Sequence, residues 1–300
     1  MSPGAQLRGL LGESQVVLPG VFNAITALQA QACGHKALYL SGAGVTNALT
    51  GFPDIALLTL TEMAQQARYL CRAVPETPVI ADADTGYGEV LNVARTVEEF
   101  EHAGLAGLHL EDQVAPKRCG HLDGKSLIEP EAMAAKIRAA LKARHDPDFF
   151  LIARTDARGV TGLDDAIERA KRYIDSGADA IFPEGLQSRE EFEVFAAALP
   201  GTPLLANMTE FGKTPYLSAA EFDALGYKLV IFPMTAFRAM LFTAHEVYST
   251  LHKTGTQQRL LERMQTRSEL YELIGYENYS EFDEEVNSWT QVTIDPASKG

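Results

Sequence analysis

Residues 79–112, VIADADTGYGEVLNVARTVEEFEHAGLAGLHLED, decide the fold. The apolar run Val79–Ala81 ends in Asp82-Ala83-Asp84-Thr85-Gly86. Apolar spacing then predicts a helix over Thr96–Ala103, closed by Gly104, since glycine is favoured just past a helix C-terminus. A second apolar run, Gly107–Leu110, follows and again ends in acid, Glu111-Asp112. Runs that are apolar without alternation fit parallel strands buried on both faces. A strand with a polar end, then a helix, then another such strand is the repeating unit of a parallel sheet.

The unit recurs in both directions. Strands are expected at Val16–Pro19 and Ala37–Leu40 upstream, and at Phe149–Ala153, Ala180–Phe182, Pro203–Ala206 and Lys228–Phe232 downstream. Helical spacing is found at Thr61–Arg72, Pro130–Ala143, Leu163–Ser176 and Ser188–Ala198, with Gly177 and Gly226 as further stops. About eight such units make an α/β chain with a (β/α)8 TIM-type barrel. A doubly wound open sheet is the other candidate, but no G-x-G-x-x-G follows the first strand, which disfavours its dinucleotide-binding form. The 300 residues suit one barrel domain spanning 1–300. After the eighth strand the chain continues through Ala236–His252 and then Gln257–Ile274, and residues 236–290 read as a C-terminal helical extension. The second stretch is more helix than the barrel needs, and it either packs on a partner subunit or covers the barrel bottom. A polar tail occupies Ile294–Gly300.

Apolar residues make up 46% and charged residues 22%, which excludes a disordered, collagen-like or coiled-coil chain. The formal charge is −14, against the basic face of a nucleic-acid or anionic-membrane binder. A small anionic substrate stays open, because a few arginines can line a pocket in an acidic protein. Three cysteines, Cys33, Cys71 and Cys119, form no C-x-x-C pair. That pattern gives neither a disulfide framework nor a zinc cluster and points to a cytoplasmic location. No apolar stretch reaches membrane-span length, and the first residues lack a secretory signal pattern.

Polar residues gather after the apolar runs, where barrel enzymes keep their chemistry. Ser41-Gly42-Ala43-Gly44 follows the second strand, Arg154 the fifth, Glu184 the sixth and Asn207-Met208-Thr209-Glu210 the seventh, with Arg238 beyond the eighth. Asp82 and Asp84 point to one face of an extended strand and repel unless a cation lies between them. Such oxygen ligands suit Mg²⁺ or Mn²⁺, and Glu111 could hold a metal-bound water. D-x-D alone is more simply a turn; Glu111 and Glu184 at neighbouring strand ends make the metal the better reading. The Ser41–Gly44 amides can receive an anion, although glycine-rich strand ends are often only tight turns. Arg154, Asn207 and Arg238 can bind carboxylates, though Arg238 by itself reads as a rim salt bridge.

Asp112–Glu129, DQVAPKRCGHLDGKSLIE, is long, polar and without helical period, as in an active-site lid. Lys117 and Arg118 flank Cys119, so an empty site is expected to hold its thiolate, and a polyanionic substrate to restore the thiol as an acid. Cys33 and Cys71 read as buried, inert packing residues.

Lys117-Arg118-Cys119-Gly120-His121, together with Asp82-Ala83-Asp84, resembles the signature of the isocitrate lyase/phosphoenolpyruvate mutase superfamily. The similarity runs through Tyr39–Gly42, Asp82–Gly88, Asn92–Thr96, Gly107–Gln113, Ala153–Ala157, Phe182–Glu184, Asn207–Gly212, Ala236–Met240 and Met264–Arg267. The K-R-C-G-H spelling and the short chain resemble the branch that cleaves 2-methylisocitrate to pyruvate and succinate in propionate breakdown. Ala43 departs from the family, which commonly has another glycine there.

The resemblance implies a Mg²⁺-dependent carbon–carbon lyase acting on a small tricarboxylate. It also implies a homotetramer in which the last barrel helix is exchanged between subunits. Asp82 and Asp84 match metal positions, with Glu111 nearby through water. Ser41, Gly42, Ala43, Asp54, Gly120, Arg154, Glu184, Asn207, Met208, Thr209, Arg238 and Arg267 match substrate-contact or site positions. Cys119 is then the acid, in the company of Arg118 and His121, and Tyr39 the first choice of base. Isocitrate lyase is the nearest alternative, since one methyl is worth only about 1–3 kcal/mol of discrimination; a related 2-hydroxy- or oxo-dicarboxylate lyase or hydrolase is another, which the cysteine lid disfavours. A catalytically silent barrel that binds dicarboxylates is a further one.

Overall fold

The computed structural model describes residues 1–122 and 124–292; the expected polar tail at 294–300 lies outside the described residues. The strands are β1 (Val16–Val21), β2 (Leu38–Leu40), β3 (Val79–Asp82), β4 (Gly107–Glu111), β5 (Phe150–Thr155), β6 (Ala180–Pro183), β7 (Leu205–Asn207) and β8 (Leu229–Phe232). They are hydrogen-bonded in the order β6-β5-β4-β3-β2-β1-β8-β7, every pairing parallel. A parallel bridge between Ile181 and Leu204 joins the two ends of that order, so the sheet closes into a TIM-type (β/α)8 barrel.

The helices that precede or join the strands are α1 (Pro3–Glu13), α2 (Ala24–Ala32), α3 (Gly42–Thr50), α4 (Leu60–Ala73), α5 (Val90–Ala103), α6 (Pro130–Ala143), α7 (Leu163–Asp175), α8 (Arg189–Ala198) and α9 (Ala219–Ala224). After β8 come α10 (Thr235–Thr254), α11 (Arg267–Leu273) and α12 (Tyr276–Val292). Two compact units result, Met1–Leu241 and a second that begins at Phe242. No helix among the described residues is long and apolar enough to cross a membrane.

Each strand delivers alternate residues to two different cores. Leu18, Tyr39, Ile80, Ile152, Phe182 and Ile231 fill the barrel interior, and Leu7 of α1 belongs to the same cluster. Leu38, Leu40, Ala81, Leu108 and Ala153 pack outward against the helices. Fully burying a side chain of leucine or phenylalanine size contributes about 1.5–3 kcal/mol, so both layers resist a register shift. The parity has a functional result. Two residues past an interior residue, toward the C-terminal strand end, the side chain faces the barrel mouth. Tyr39 and Ser41, Ile80 and Asp82, Ile152 and Arg154, and Phe182 and Glu184 are such pairs.

Two helix readings and the burial of two cysteines differ from the sequence expectation. α5 starts at Val90 rather than Thr96, because Glu89 supplies no side-chain cap to mark its start. Gln257–Ile274 is not one helix: a 3₁₀ segment, Gln258–Arg263, gives way to extended backbone at Met264, and Thr266 caps α11 afresh through a capping box with Glu269. Cys33 is exposed at the end of α2 rather than buried; Cys71 is half-buried, and desolvation pushes its thiol up to about 12.

Candidate active site

The C-terminal strand ends enclose a cavity of about 370 Å³. One wall begins at α3. Ser41 is its N-cap and accepts the Gly44 amide at 3.1 Å, which leaves the first-turn amides of the helix at the cavity edge. A Cβ on Gly42 would come within 2.6 Å of Asp82 Oδ2, so this backbone lies directly against the acid. Ala43 lines the cavity.

Asp82 and Asp84 are both buried, and the Asp84 amide donates to Asp82 Oδ1 at 2.9 Å. Asp84 itself has φ 47°, a strained conformation for a residue with a Cβ and of the kind concentrated at functional sites. Lys117 stands between carboxylates, its Nζ 2.6 Å from Asp54 Oδ1 and 2.9 Å from Asp84 Oδ1. The latter contact is a close ion pair that leaves Asp84 Oδ1 buried beside the ammonium. Burial pushes Asp84 up to about 6, against the pull of Lys117 and with Asp82 adding to the rise. Burial also opposes ionisation of Asp82, but His109, Lys117 and Arg154 outweigh it and hold Asp82 below the ordinary range. Burial raises Glu111 well above its usual value despite Arg154 NH1 at 3.2 Å.

Among the described residues, no three His, Cys, Asp or Glu side chains form a ready metal cluster. Glu111 turns toward Arg154 at 3.2 Å, so its contact with an ion beside Asp82 and Asp84 would run through water. Hard oxygen donors still fit a divalent cation here. Asp84 Oδ1 and both Glu111 oxygens are buried without hydrogen-bond partners, and Mg²⁺ characteristically takes few protein ligands and keeps several waters.

Arg154 forms the opposite wall. Its Nε and NH2 donate to Asp156 at 2.9 and 3.1 Å, and its guanidinium lies 5.0 Å over the Phe182 ring. Glu184 accepts from Asn207 Nδ2 at 3.1 Å and has His121 Nε2 at 3.0 Å. Burial would raise the Glu184 carboxyl, but Arg154 and His121 hold it well below the usual range. His121 Nδ1 accepts the Lys213 amide, so Nε2 is the nitrogen that carries hydrogen toward Glu184. Arg238 donates to Thr209 Oγ1 at 3.2 Å and to Glu210 Oε2 at 2.5 Å, and sits over the Phe211 ring.

The lid segment is ordered by its own polar groups. Gln113 and Leu127 pair antiparallel, and the Gln113 amide side chain brackets the Arg118 backbone at 2.9 Å on both sides. Cys119 lines the cavity and is exposed at its mouth. The thiolate expectation is overturned: Lys117 is committed to Asp54 and Asp84, while desolvation and Glu184 push the Cys119 thiol up against Arg154 and the His121 amide.

Tyr39, Ser41, Ala43, Asp54, Asp82, Cys119, Gly120, His121, Arg154, Glu184, Asn207, Thr209 and Arg238 all line the one cavity. Others of the expected set stand outside its lining. Gly42, Asp84 and Glu111 lie directly behind it. Met208 is buried, its sulfur accepting the Leu217 amide, and Arg118 is exposed beside Gly124. Arg267 is the first residue of α11, in the second unit. The residues missed from sequence are His109, Lys125 and Asp156. Tyr39 Oη and His109 Nε2 are 2.8 Å apart in the barrel interior; burial lowers His109 to about 4, and burial followed by Asp82 raises Tyr39 well above 10.0. The signal for His109 was its parity with Glu111 on β4.

An acid pair and an arginine wall at the mouth of a closed parallel barrel, under a cysteine-bearing lid, define a class of carboxylate-handling barrel enzymes. The model of the phosphoenolpyruvate phosphomutase family matches residues 7–252, and the chain belongs to that family. It is 52% identical to the 2-methylisocitrate lyase of Aeropyrum pernix over 95% of this chain and 91% of that one. It is 45% identical to the 2-methylisocitrate lyase of Escherichia coli, covering 93% and 95% of the two chains. Among solved structures, 2,3-dimethylmalate lyase, a PEP mutase/isocitrate lyase superfamily member, superposes with a TM-score of 0.90 at 38% identity, covering 95% and 96%. Phosphonopyruvate hydrolase in complex with oxalate and Mg²⁺ superposes at 0.86 with 29% identity, covering 95% and 99%.

Proposed function

We propose that the chain is a Mg²⁺-dependent 2-methylisocitrate lyase that splits the C2–C3 bond to give pyruvate and succinate. The seating of Lys117–His121 over Arg154 and Glu184 carries this reading, because it sets a thiol at the mouth of an anion-binding cavity. Relatives at 41–52% identity that bear the lyase name support it. Phe182, Ile231, Pro233 and Met234 give the cavity an apolar wall suited to the extra methyl, which favours this substrate over isocitrate.

The α3 amides, Arg154, Asn207, Thr209 and Arg238 bind the substrate carboxylates. Asp82 and Asp84 would hold the metal, and Glu111 would reach it through a water. When bound, Mg²⁺ supplies Lewis-acid charge that stabilises the keto acid as it forms. Tyr39 takes the C2 hydroxyl proton. Burial and Asp82 disfavour its phenolate, and the Arg154 guanidinium opposes them. The C2–C3 electron pair passes to the succinate fragment as an aci-carboxylate, and Cys119 Sγ donates the proton that completes succinate. His121 holds Glu184 in place.

We read residues 1–300 as one catalytic domain with 236–290 as its helical extension, working in the cytoplasm as a homotetramer that exchanges its last barrel helix. Steady-state pyruvate release from 2-methylisocitrate tests the function. Turnover with Mg²⁺ should vanish on exhaustive chelation, return with Mg²⁺ or Mn²⁺, and exceed that on isocitrate in kcat/KM. No pyruvate from 2-methylisocitrate overturns the assignment, and full activity in verified metal-free protein removes the metal.

A further inference from the structure

Lys125 is a buried charge that the proposed chemistry does not use. Its side chain is 2% exposed, and its Nζ reaches the Gly120 carbonyl at 2.5 Å and Asp156 Oδ1 at 2.8 Å. Asp156 is itself fully buried and also accepts from Arg154 through both oxygens. One carboxylate therefore anchors two cations, one from the cavity wall and one from the lid. Gly120 is pressed onto the same wall: a Cβ there would run into Glu184 and come within 2.6 Å of Arg154 NH2. Gly159 makes room for the ammonium, since its own Cβ would come 3.3 Å from Nζ.

Desolvating an ammonium is costly, and an alkyl chain would fill the same space without that cost. The interaction has a recipient that matters, the peptide between Cys119 and His121. We propose that Lys125 is a positioning residue for the cleavage: by holding the Gly120 carbonyl on Asp156, it sets Cys119 Sγ in register with the anion bound by Arg154. The proposal rests on the lyase reading of the site.

Lys125→Met and Lys125→Arg test it. In Lys125→Met, kcat on 2-methylisocitrate should fall about a hundredfold, the effect expected of a misplacement near 1 Å, with KM changed much less. The distinguishing readout is iodoacetamide alkylation of Cys119, separated from Cys33 and Cys71 by peptide mass mapping. Saturating succinate and pyruvate with Mg²⁺ should protect Cys119 in wild type. Protection should weaken about tenfold in Lys125→Met, as for loss of one charge-assisted hydrogen bond. Lys125→Arg should restore a large part of both rate and protection. Wild-type protection with kcat within threefold in Lys125→Met overturns the proposal, as does equal loss in the methionine and arginine variants. If Lys125→Met does not fold, Lys125→Gln takes its place with the same readouts. Failure of the lyase reading is distinct: wild-type protein would then release no pyruvate, whatever the labelling of its variants.

Discussion

Partial desolvation, helped by the Glu184 carboxylate, pushes the Cys119 thiol up, which suits an acid better than a nucleophile. Cys119→Ser should leave folding almost unchanged, within about 0.5 kcal/mol as for exposed positions. Serine is a far weaker acid than a thiol, so turnover should drop by roughly 10²–10⁴-fold while product binding persists. A melting curve, calorimetric binding of succinate and a turnover assay on one preparation decide the matter. Near-wild-type turnover would mean that another group protonates the product. The motif around Cys119 was legible, but the state of the thiol was not. Adjacency in sequence put Lys117 beside Cys119, whereas the fold sends its side chain to Asp54 and Asp84.

At the scale of elements, Asp112 ties β4 to its neighbours. The carboxylate is fully buried, accepts from Thr155 Oγ1 and Tyr173 Oη at 2.8 Å and the Asp156 amide at 2.9 Å, and has Arg169 NH1 at 3.3 Å. Burial, followed by Asp156, raises its pKa. Asp112→Ala leaves these donors and a buried guanidinium without their acceptor, which should cost about 3 kcal/mol. For a unit of this size that lowers Tm by roughly 6–12 °C, to be read by calorimetry. A shift under 2 °C would show that the network repairs itself through water. Sequence exposed the strands of this region because apolar runs mark them, and it exposed α6 through Pro130. It did not expose α3, whose glycines conceal a helix, nor the division of Gln257–Ile274, where a capping box interrupts an otherwise helical composition. Lys125 and Asp156 escaped because their partnership joins the lid to β5 across a distance that no local spacing encodes.

At the scale of the whole molecule, the barrel accounts for the chain through β8, and α10, α11 and α12 remain beyond it. Helix in excess of what a barrel needs motivates the proposed assembly. Light scattering over a dilution series should give a mass well above 32.6 kDa at every concentration that supports activity. A stable, active monomer would remove the exchanged-helix proposal. The barrel was readable from its strands; the assembly is not written in any single chain's periodicity, because surface helices carry the same pattern whichever subunit they cover.

Glu111 and Asp112 are consecutive, yet they serve opposite sides of the barrel wall. Glu111 shares the parity of His109, which packs against Tyr39 and Phe182 inside, while Leu108 and Leu110 face the helices, where Asp112 meets Tyr173 and Arg169. A slip of β4 by one residue would exchange the two faces. It would thrust Leu108 and Leu110 toward the acid pair and strand His109 in the helix layer. Misthreaded barrels are thereby penalised by the charges that later handle substrate, so the active site also acts as a check on the fidelity of folding.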